Sequence, residues 1–191
     1  LAQDALKENP GEKIYYDQAD YKAFAFRIGL ALGIDEKTLQ NEAQLSIPHS
    51  RIRISPNKNQ FKLHSFCLMP NHFHLLIEQC GDTEVSKLIS QVCTSFAMYI
   101  NKKHKRVGHV FQDQFKSVLI ESNEQLMLVS AYIHMNPVRD GLAKHPNEYK
   151  WSSFKEFIGE RDLPIVHTEF LKNVIGKNFE KETLSIHSEN R

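Results

Sequence analysis

The stretch CLMPNHFHLLIE, residues 67–78, contains two β-prone runs separated by a turn-forming pair, Pro70 and Asn71. Two such runs around turn residues predict a β-hairpin. Residues two apart on a strand point to the same face, so we expect His72 and His74 to project together, away from the apolar side chains that alternate with them. A histidine in a buried strand needs hydrogen-bond partners or a ligand, and this strand contains two histidines.

Length and composition indicate one domain with a substantial core, because the chain has 191 residues and is 41% hydrophobic. The formal net charge of +1 does not point to a nucleic-acid or membrane partner, so any electrostatic attraction must be local. Three cysteines without CxxC spacing argue against a disulfide framework or a structural zinc site and favour a reducing cytoplasm. No apolar run reaches the length of about 18 residues that a membrane-spanning helix requires.

Helical and strand-like patterns alternate along the rest of the chain, which predicts an α+β fold with a mainly antiparallel sheet. We expect one domain over residues 1–160 and a C-terminal tail over 161–191. Within the domain we predict a helix over 18–33, with Asp20 as its cap and Gly33 as its stop. An irregular insertion over 34–60 follows, with a short strand in SRIRIS. Beyond the hairpin we predict a helix capped by Asp82 or Thr83, a strand within 108–120, and a helix from Ser122 to Pro137.

The last of these helices offers partners for the histidine pair. Tyr132 and Asn136 are four residues apart and therefore lie on one helical face. A carboxamide oxygen and two imidazoles would leave several positions of an octahedral ion open for water and phosphate oxygens. Taken singly, each residue also has a structural interpretation: core histidines, a helix-ending Asn136 before Pro137, and a core aromatic at Tyr132.

Local basic clusters are compatible with a phosphate partner, although such runs are usually solvated surface. No Asp or Glu occurs between Ala43 and Ile77. The basic residues are Arg51, Arg53, Lys58 and Lys62 in that stretch, and Lys102, Lys103, Lys105 and Arg106 after the second long helix.

The segment FCLMPNHFHLLIE resembles the HUH motif (His, hydrophobic, His) of the single-tyrosine, IS200-like DNA transposases. YIHMNPVRDGL resembles the tyrosine-bearing helix of one branch of that superfamily, the REP-associated tyrosine transposases. GHVFQDQFKS and WSSFKEFIG resemble further motifs of the same branch, in the same order. The resemblance extends from about residue 14 to residue 159.

This resemblance implies a ferredoxin-like or RRM-like HUH nuclease fold, in which helices flank an antiparallel sheet with the HUH strand at its centre, followed by a helical C-terminal extension. It implies Mg²⁺ or Mn²⁺ held by His72, His74 and Asn136, with Tyr132 as the nucleophile. Relatives cleave single-stranded DNA through a 5′-phosphotyrosine without a nucleotide cofactor. They recognise short DNA hairpins and are encoded near repeated extragenic palindromes in bacterial genomes.

The DNA contacts implied by the resemblance are cationic and aromatic. We expect phosphate contacts from Lys116 and Arg139, and the basic clusters add Arg51, Arg53, Lys102, Lys103 and Arg106. Phe111, Phe115 or Trp151 could stack on exposed bases, although aromatic residues in such patterns more often belong to the core.

Two departures from the family pattern leave alternatives open. LAQDALKENPGE (1–12) does not have the pattern of a strand, so we expect the family's first strand to be absent or diverged. Gln114 stands where many relatives carry Arg, which removes one cationic contact. The alternatives to an active nuclease are a domesticated, catalytically weak hairpin-binding protein and a domain whose histidines are only structural. The sequence leaves monomer and homodimer undecided.

Overall fold

The structure, a computed structural model, describes residues 2–5, 13–41, 52, 54–111, 115–176 and 178–189. Its elements in chain order are β1 (Ala2–Ala5), α1 (Gln18–Leu32), α2 (Glu36–Asn41), β2 (Phe61–Met69), β3 (His72–Gln79), α3 (Val85–His104), β4 (Lys116–Val118), α4 (Asn123–Arg139), a 3₁₀ turn (Pro146–Glu148), α5 (Phe154–Phe157), α6 (Glu169–Ile175) and α7 (Phe179–Glu189). The expected α+β fold with a helical C-terminal extension is confirmed.

The four strands form one sheet in the order β2-β3-β1-β4, and every pair within it is antiparallel. β2 and β3 form the predicted hairpin, closed by the pairing of Met69 with His72 around the Pro70-Asn71 turn. β3 is hydrogen-bonded on both sides, to β2 and to β1. The histidine-bearing strand is therefore interior, as expected.

Of the two alternatives for the N-terminal segment, an absent or a diverged first strand, the structure has the second: Ala2–Ala5 pairs with β3 on one side and with β4 on the other. Its sequence, AQDA, contains none of the β-branched or aromatic residues that favour strands. Hydrogen bonding to two neighbouring strands supplies what local propensity lacks.

Two hydrophobic clusters cover the two faces of the sheet. One contains apolar side chains of α1 and α3 packed on Phe73, Leu75 and Ile77 of β3. The other joins Leu76 to side chains of α4, α5, α6 and α7. The segment expected to be a tail thus contains two helices that pack in this second cluster. The sheet holds the histidine strand between a layer built on α1 and α3 and a layer built on α4.

Several helix boundaries differ from the predicted ones. The N-cap of α1 is Asp17, whose side chain accepts a hydrogen bond from the Asp20 backbone, while the predicted stop at Gly33 is confirmed by its left-handed conformation. Glu84 precedes α3 without a side-chain capping bond, so neither Asp82 nor Thr83 caps this helix. Ser122 caps α4 as predicted, but the helix continues through Pro137 to Arg139. A proline near a helix end removes only one hydrogen bond, which allows the last turn to form.

The predicted insertion is in part helical, because α2 lies within it. Ile52, Ile54 and Ser55 are not in a strand, and the other residues of the proposed SRIRIS strand lie outside the described part of the chain, as do residues 42–49. Among the described residues, no helix is long and apolar enough to cross a membrane.

Candidate active site

The two histidines of β3 converge as the strand alternation predicts. The Nε2 atoms of His72 and His74 are 3.0 Å apart, and the two ring planes are almost perpendicular, at 89°. His74 is buried, whereas His72 is partly exposed. The pair therefore lies at the boundary between the sheet interior and the surface, where a solvent-borne substrate can approach.

The turn before β3 orients the first histidine. The Nδ1 atom of His72 lies 2.7 Å from the Oδ1 atom of Asn71. Because a carboxamide oxygen only accepts hydrogen bonds, the Nδ1 atom carries the proton and the Nε2 lone pair faces His74. The turn itself is held by the backbone N–H groups of Ile14 and Tyr15, which donate to the Pro70 carbonyl. Asn71 is thus a site residue that the sequence had marked only as part of a turn.

The helix α4 brings the predicted tyrosine to the histidine pair. The ring of Tyr132 meets the ring of His74 edge to face, with 5.5 Å between centroids and an interplanar angle of 84°. Tyr132 is 38% exposed, so its phenol lies beside the histidines and also faces solvent. Asn136 lies one turn further along, is buried, and donates from Nδ2 to the Tyr132 carbonyl at 2.8 Å. Because this bond uses the Nδ2 donor, the group of Asn136 that can accept a hydrogen bond or bind a cation is its Oδ1 atom.

Arg139 adds a cation to this arrangement. Its guanidinium carbon is 4.8 Å from the centroid of the Tyr132 ring, and the side chain is exposed. The phenol ring of Tyr132 is therefore in contact with two side chains, the imidazole of His74 and the guanidinium of Arg139. Such contacts restrict the orientation of the ring, and the remaining N–H groups of an exposed guanidinium can bind a phosphate.

The spacing of the two imidazoles fits two adjacent ligand positions of an octahedral divalent cation. Two cis ligands of an octahedral ion at about 2.1 Å stand about 3.0 Å apart, which is the separation of the two Nε2 atoms. The same separation permits an N–H···N hydrogen bond between the rings when one nitrogen is protonated. Within the described ranges, no group of three or more His, Cys, Asp or Glu side chains could hold a metal ion. A site here would consist of His72, His74 and a carboxamide oxygen, with the other positions open.

The remaining cationic candidates lie in different surroundings. Lys116 is exposed on the short edge strand β4, and Lys102 is exposed near the end of α3. Arg106 donates to the hydroxyl of Tyr16 at 2.6 Å and lies over its ring. Arg51 and Arg53, together with Gln114, lie outside the described residues.

Lys103 is engaged within the protein. Its ammonium contacts the carboxylates of Asp17 and of the buried Asp20, each at 2.7 Å. Burial disfavours the charged amine, but these hydrogen bonds outweigh it and raise the pKa of Lys103, while the same hydrogen bond lowers the pKa of Asp17. A phosphate that bound Lys103 would compete with an ion pair that joins α1 to α3.

Comparison with known proteins shows the family and the fold of this chain. The family model described as "Transposase IS200 like" matches residues 36–136, more than half of the chain. A REP-associated tyrosine transposase from Haemophilus influenzae is 24% identical over 106 aligned positions, which cover 49% of this chain and 59% of that protein. The aligned region thus spans well under two thirds of this curated relative.

A solved structure, of a REP-associated tyrosine transposase bound to a REP hairpin, has the same fold. Its TM-score is 0.57 and its sequence identity 15%, with 87% of this chain and 88% of that chain covered. An interior strand with paired histidines, faced by a tyrosine-bearing helix, is the arrangement expected from the resemblance to the HUH single-tyrosine transposases. The chain belongs to the IS200-like transposase family, and the resemblance to its REP-associated branch is confirmed.

Proposed function

We propose that this protein is a metal-dependent endonuclease and strand transferase for single-stranded DNA, which nicks and rejoins DNA near hairpins of the REP type. The observation that carries the proposal is the convergence of the two Nε2 atoms at 3.0 Å with the Tyr132 ring 5.5 Å from that of His74. Membership of a transposase family and the likeness to a hairpin-bound protein support DNA as the substrate.

Tyr132 is the nucleophile in this proposal. Its phenolic oxygen bonds to the phosphorus of one phosphodiester, the bond from phosphorus to the 3′-oxygen breaks, and the phenolic proton ends on the released 3′-hydroxyl through solvent. The products are a 5′-phosphotyrosine and a free 3′ end. Because the phosphotyrosine conserves the energy of the broken bond, a 3′-hydroxyl can reverse the step on the same or another strand without a nucleotide cofactor.

His72, His74 and Asn136 would hold Mg²⁺ or Mn²⁺. The ion, when bound, supplies Lewis-acid polarisation of the phosphate that the phenol attacks. The chain itself contributes the orientation of His72 by Asn71 and the placement of Tyr132 on a helix beside the His74 imidazole. Two fixed imidazoles and an oriented phenol reduce the entropy lost in reaching the reactive geometry.

Arg139 is the best placed of the proposed phosphate contacts, because it is exposed and lies 4.8 Å from the centroid of the Tyr132 ring. We propose Lys116, Lys102 and Arg106 as contacts to the backbone of the DNA flanking the site. Arg51 and Arg53 are proposed as phosphate contacts on their charge alone. Lys103 is proposed as a contact only if the phosphate displaces Asp17 and Asp20 from its ammonium.

We further propose that residues 1–160 form the catalytic domain and that residues 161–191 form a helical extension packed on it. The tyrosine-bearing helix α4 contacts both C-terminal helices, α6 and α7. These contacts support a division into a domain that bears the site and an extension that stabilises its tyrosine helix. The cytoplasm, where chromosomal DNA is accessible, is the proposed location.

The test is incubation of the protein with a labelled single-stranded hairpin that carries unpaired flanks, in Mn²⁺, followed by denaturing electrophoresis. We expect a slow-migrating covalent adduct with the natural protein and none with Tyr132→Phe. Hairpin affinity should stay within about twofold, because only one exposed hydroxyl is lost. An adduct that survives in Tyr132→Phe would remove Tyr132 from the role. Hairpin binding without any adduct would indicate the binding-only alternative.

A further inference from the structure

Three aromatic rings form a continuous stack that begins in the core and ends at the surface. The rings of Tyr15 and Tyr21 are 4.3 Å apart at 18°, and those of Tyr21 and Trp151 are 4.6 Å apart at 8°. Tyr15 is buried, Tyr21 is partly buried, and Trp151 is the partly exposed outer member. The stack therefore presents a nearly parallel indole at its outer end.

The backbone beneath the indole is fixed on two sides. The N–H of Leu68 donates to the Trp151 carbonyl at 2.8 Å, which ties this segment to β2. Arg161 donates to the carbonyls of Lys150 and Ser152, on either side of the tryptophan. A ring held in this way loses little conformational entropy when a ligand stacks on it, which favours binding.

An exposed lysine, Lys150, lies next to this fixed ring. The ammonium of Lys150 lies 5.0 Å from the centroid of the Trp151 ring and donates to Gln18 at 3.1 Å. Lys150 is exposed, and its partner Gln18 is an uncharged side chain. Exchanging that neutral acceptor for a phosphate would replace a hydrogen bond to an uncharged oxygen by an ion pair.

The stack adjoins the candidate active site through the hairpin turn. Backbone N–H groups of Ile14 and Tyr15 donate to Pro70, two residues before His72. On the other side of the turn, the hydroxyl of Tyr149 donates to the Leu68 carbonyl at 2.7 Å. The stack and the histidine pair are thus tied to the same hairpin turn, the stack on the α1 side of the sheet and the histidines on the α4 side.

We propose that Trp151 is a stacking platform for one unpaired nucleobase of the DNA substrate, with Lys150 binding a phosphate next to that base. This inference rests on the proposed function, since it takes DNA as the ligand. A nucleobase that displaces the Lys150 ammonium from over the indole continues the parallel stack as a fourth ring, and its backbone supplies the anion for that ammonium. Stacking of this kind tolerates any base, because every base has a π face.

The chain offers a direct probe, because Trp151 is its single tryptophan. Intrinsic tryptophan fluorescence should be followed during titration with a hairpin that carries unpaired flanks, without divalent metal so that no cleavage intervenes. The anisotropy of the labelled DNA, measured in parallel, reports binding independently. We expect tryptophan quenching that saturates together with the anisotropy. Binding without any change in tryptophan emission would overturn the proposal.

An abasic scan identifies the stacked base. Each unpaired nucleotide is replaced in turn by an abasic one, which keeps the phosphate and removes the ring. We expect one position at which quenching disappears and affinity falls by about 5- to 100-fold, the usual range for losing one stacked base. Equal effects at every position would contradict a platform for a single base.

Matched variants separate stacking from a folding defect. Trp151→Phe keeps a smaller ring and should retain more affinity than Trp151→Leu, whereas Phe170→Ala removes an exposed ring near the opposite end of β2 and should leave affinity unchanged. Lys150→Gln should reduce the slope of log affinity against log salt by about 0.7. Equal losses in Trp151→Phe and Trp151→Leu, or an unchanged salt slope, would count against the proposal.

The two proposals can fail separately. Quenching without a covalent adduct would sustain the stacking platform and contradict cleavage. An adduct without quenching would sustain cleavage and contradict the platform. Absence of any DNA binding would contradict both.

Discussion

The two faces of β3 have the same backbone and opposite roles. Phe73, on the face covered by α1 and α3, is fully buried, and its ring meets those of Phe24 and Phe111 at 4.7 and 6.2 Å. His72 and His74, on the other face, contact each other, and His74 also contacts the ring of the exposed Tyr132. Strand alternation allows neighbouring residues to serve the core and the site independently. Substitutions on one face should change stability, and substitutions on the other should change chemistry.

The largest expected effect is on stability. Phe73→Ala should lower the free energy of unfolding by about 3–5 kcal/mol, because it removes a ring from a close-packed core. Urea denaturation measures this change. Leu128→Ala, which truncates an exposed side chain of α4, is the control and should change stability by less than about 0.5 kcal/mol. Similar denaturation midpoints for both variants would show that this face is not the structural one.

The next effect is on chemistry. His72→Ala should slow adduct formation at least about 100-fold, because the phosphate would lose its polarisation by a bound ion. The stability of the variant should change little, since His72 is partly exposed. Single-turnover kinetics in Mn²⁺ give the rate, and the denaturation midpoint gives the control. If His72→Ala formed the adduct at the rate of the natural protein but had a lowered denaturation midpoint, the histidine face would be structural rather than catalytic.

A smaller effect should come from the residue that orients His72. Asn71→Ala should raise the Mn²⁺ concentration needed for half-maximal adduct formation by about 10- to 100-fold, because the imidazole loses the acceptor that fixes its tautomer. Asn147→Ala is a matched control, since Asn147 makes the same kind of contact to His145, 2.8 Å from its Nδ1 atom. Equal Mn²⁺ dependence in both variants would exclude an orienting role for Asn71.

The smallest effect concerns the ion pair that joins α1 to α3. Asp17→Asn should cost less than about 1 kcal/mol at pH 7, because the carboxylate is half exposed. The hydrogen bond from Lys103 lowers the pKa of Asp17, so its contribution is present above the usual carboxyl range and is lost as the pH falls below it. Urea midpoints between pH 7 and pH 3 should therefore fall less steeply for the variant. Parallel pH profiles would contradict this assignment.

Much of this arrangement could be predicted from local patterns. The hairpin, the shared face of the histidines and the Ser122 cap follow from alternation and from capping preferences that act over a few residues. The location of Tyr132 beside His74 followed from the resemblance, because helical spacing alone cannot show which strand a helix covers.

The features that sequence patterns missed depend on tertiary contacts. β1 has no strand-like composition and forms by pairing with two other strands. The basic run makes Lys103 a candidate DNA contact, and only the fold shows that Asp17 and Asp20 lie beside it. Asn71 was classed as a turn residue, and its contact with His72 depends on the conformation of that turn.

The most direct test of the central claim is to locate the covalent bond. The protein is incubated with the hairpin in Mn²⁺, the DNA is digested to nucleotides, and the tryptic peptides are sequenced by mass spectrometry. The account predicts a nucleotide linked through its 5′-phosphate to Tyr132. A nucleotide attached to any other residue, or cleavage that leaves only free 5′-phosphates, would contradict it.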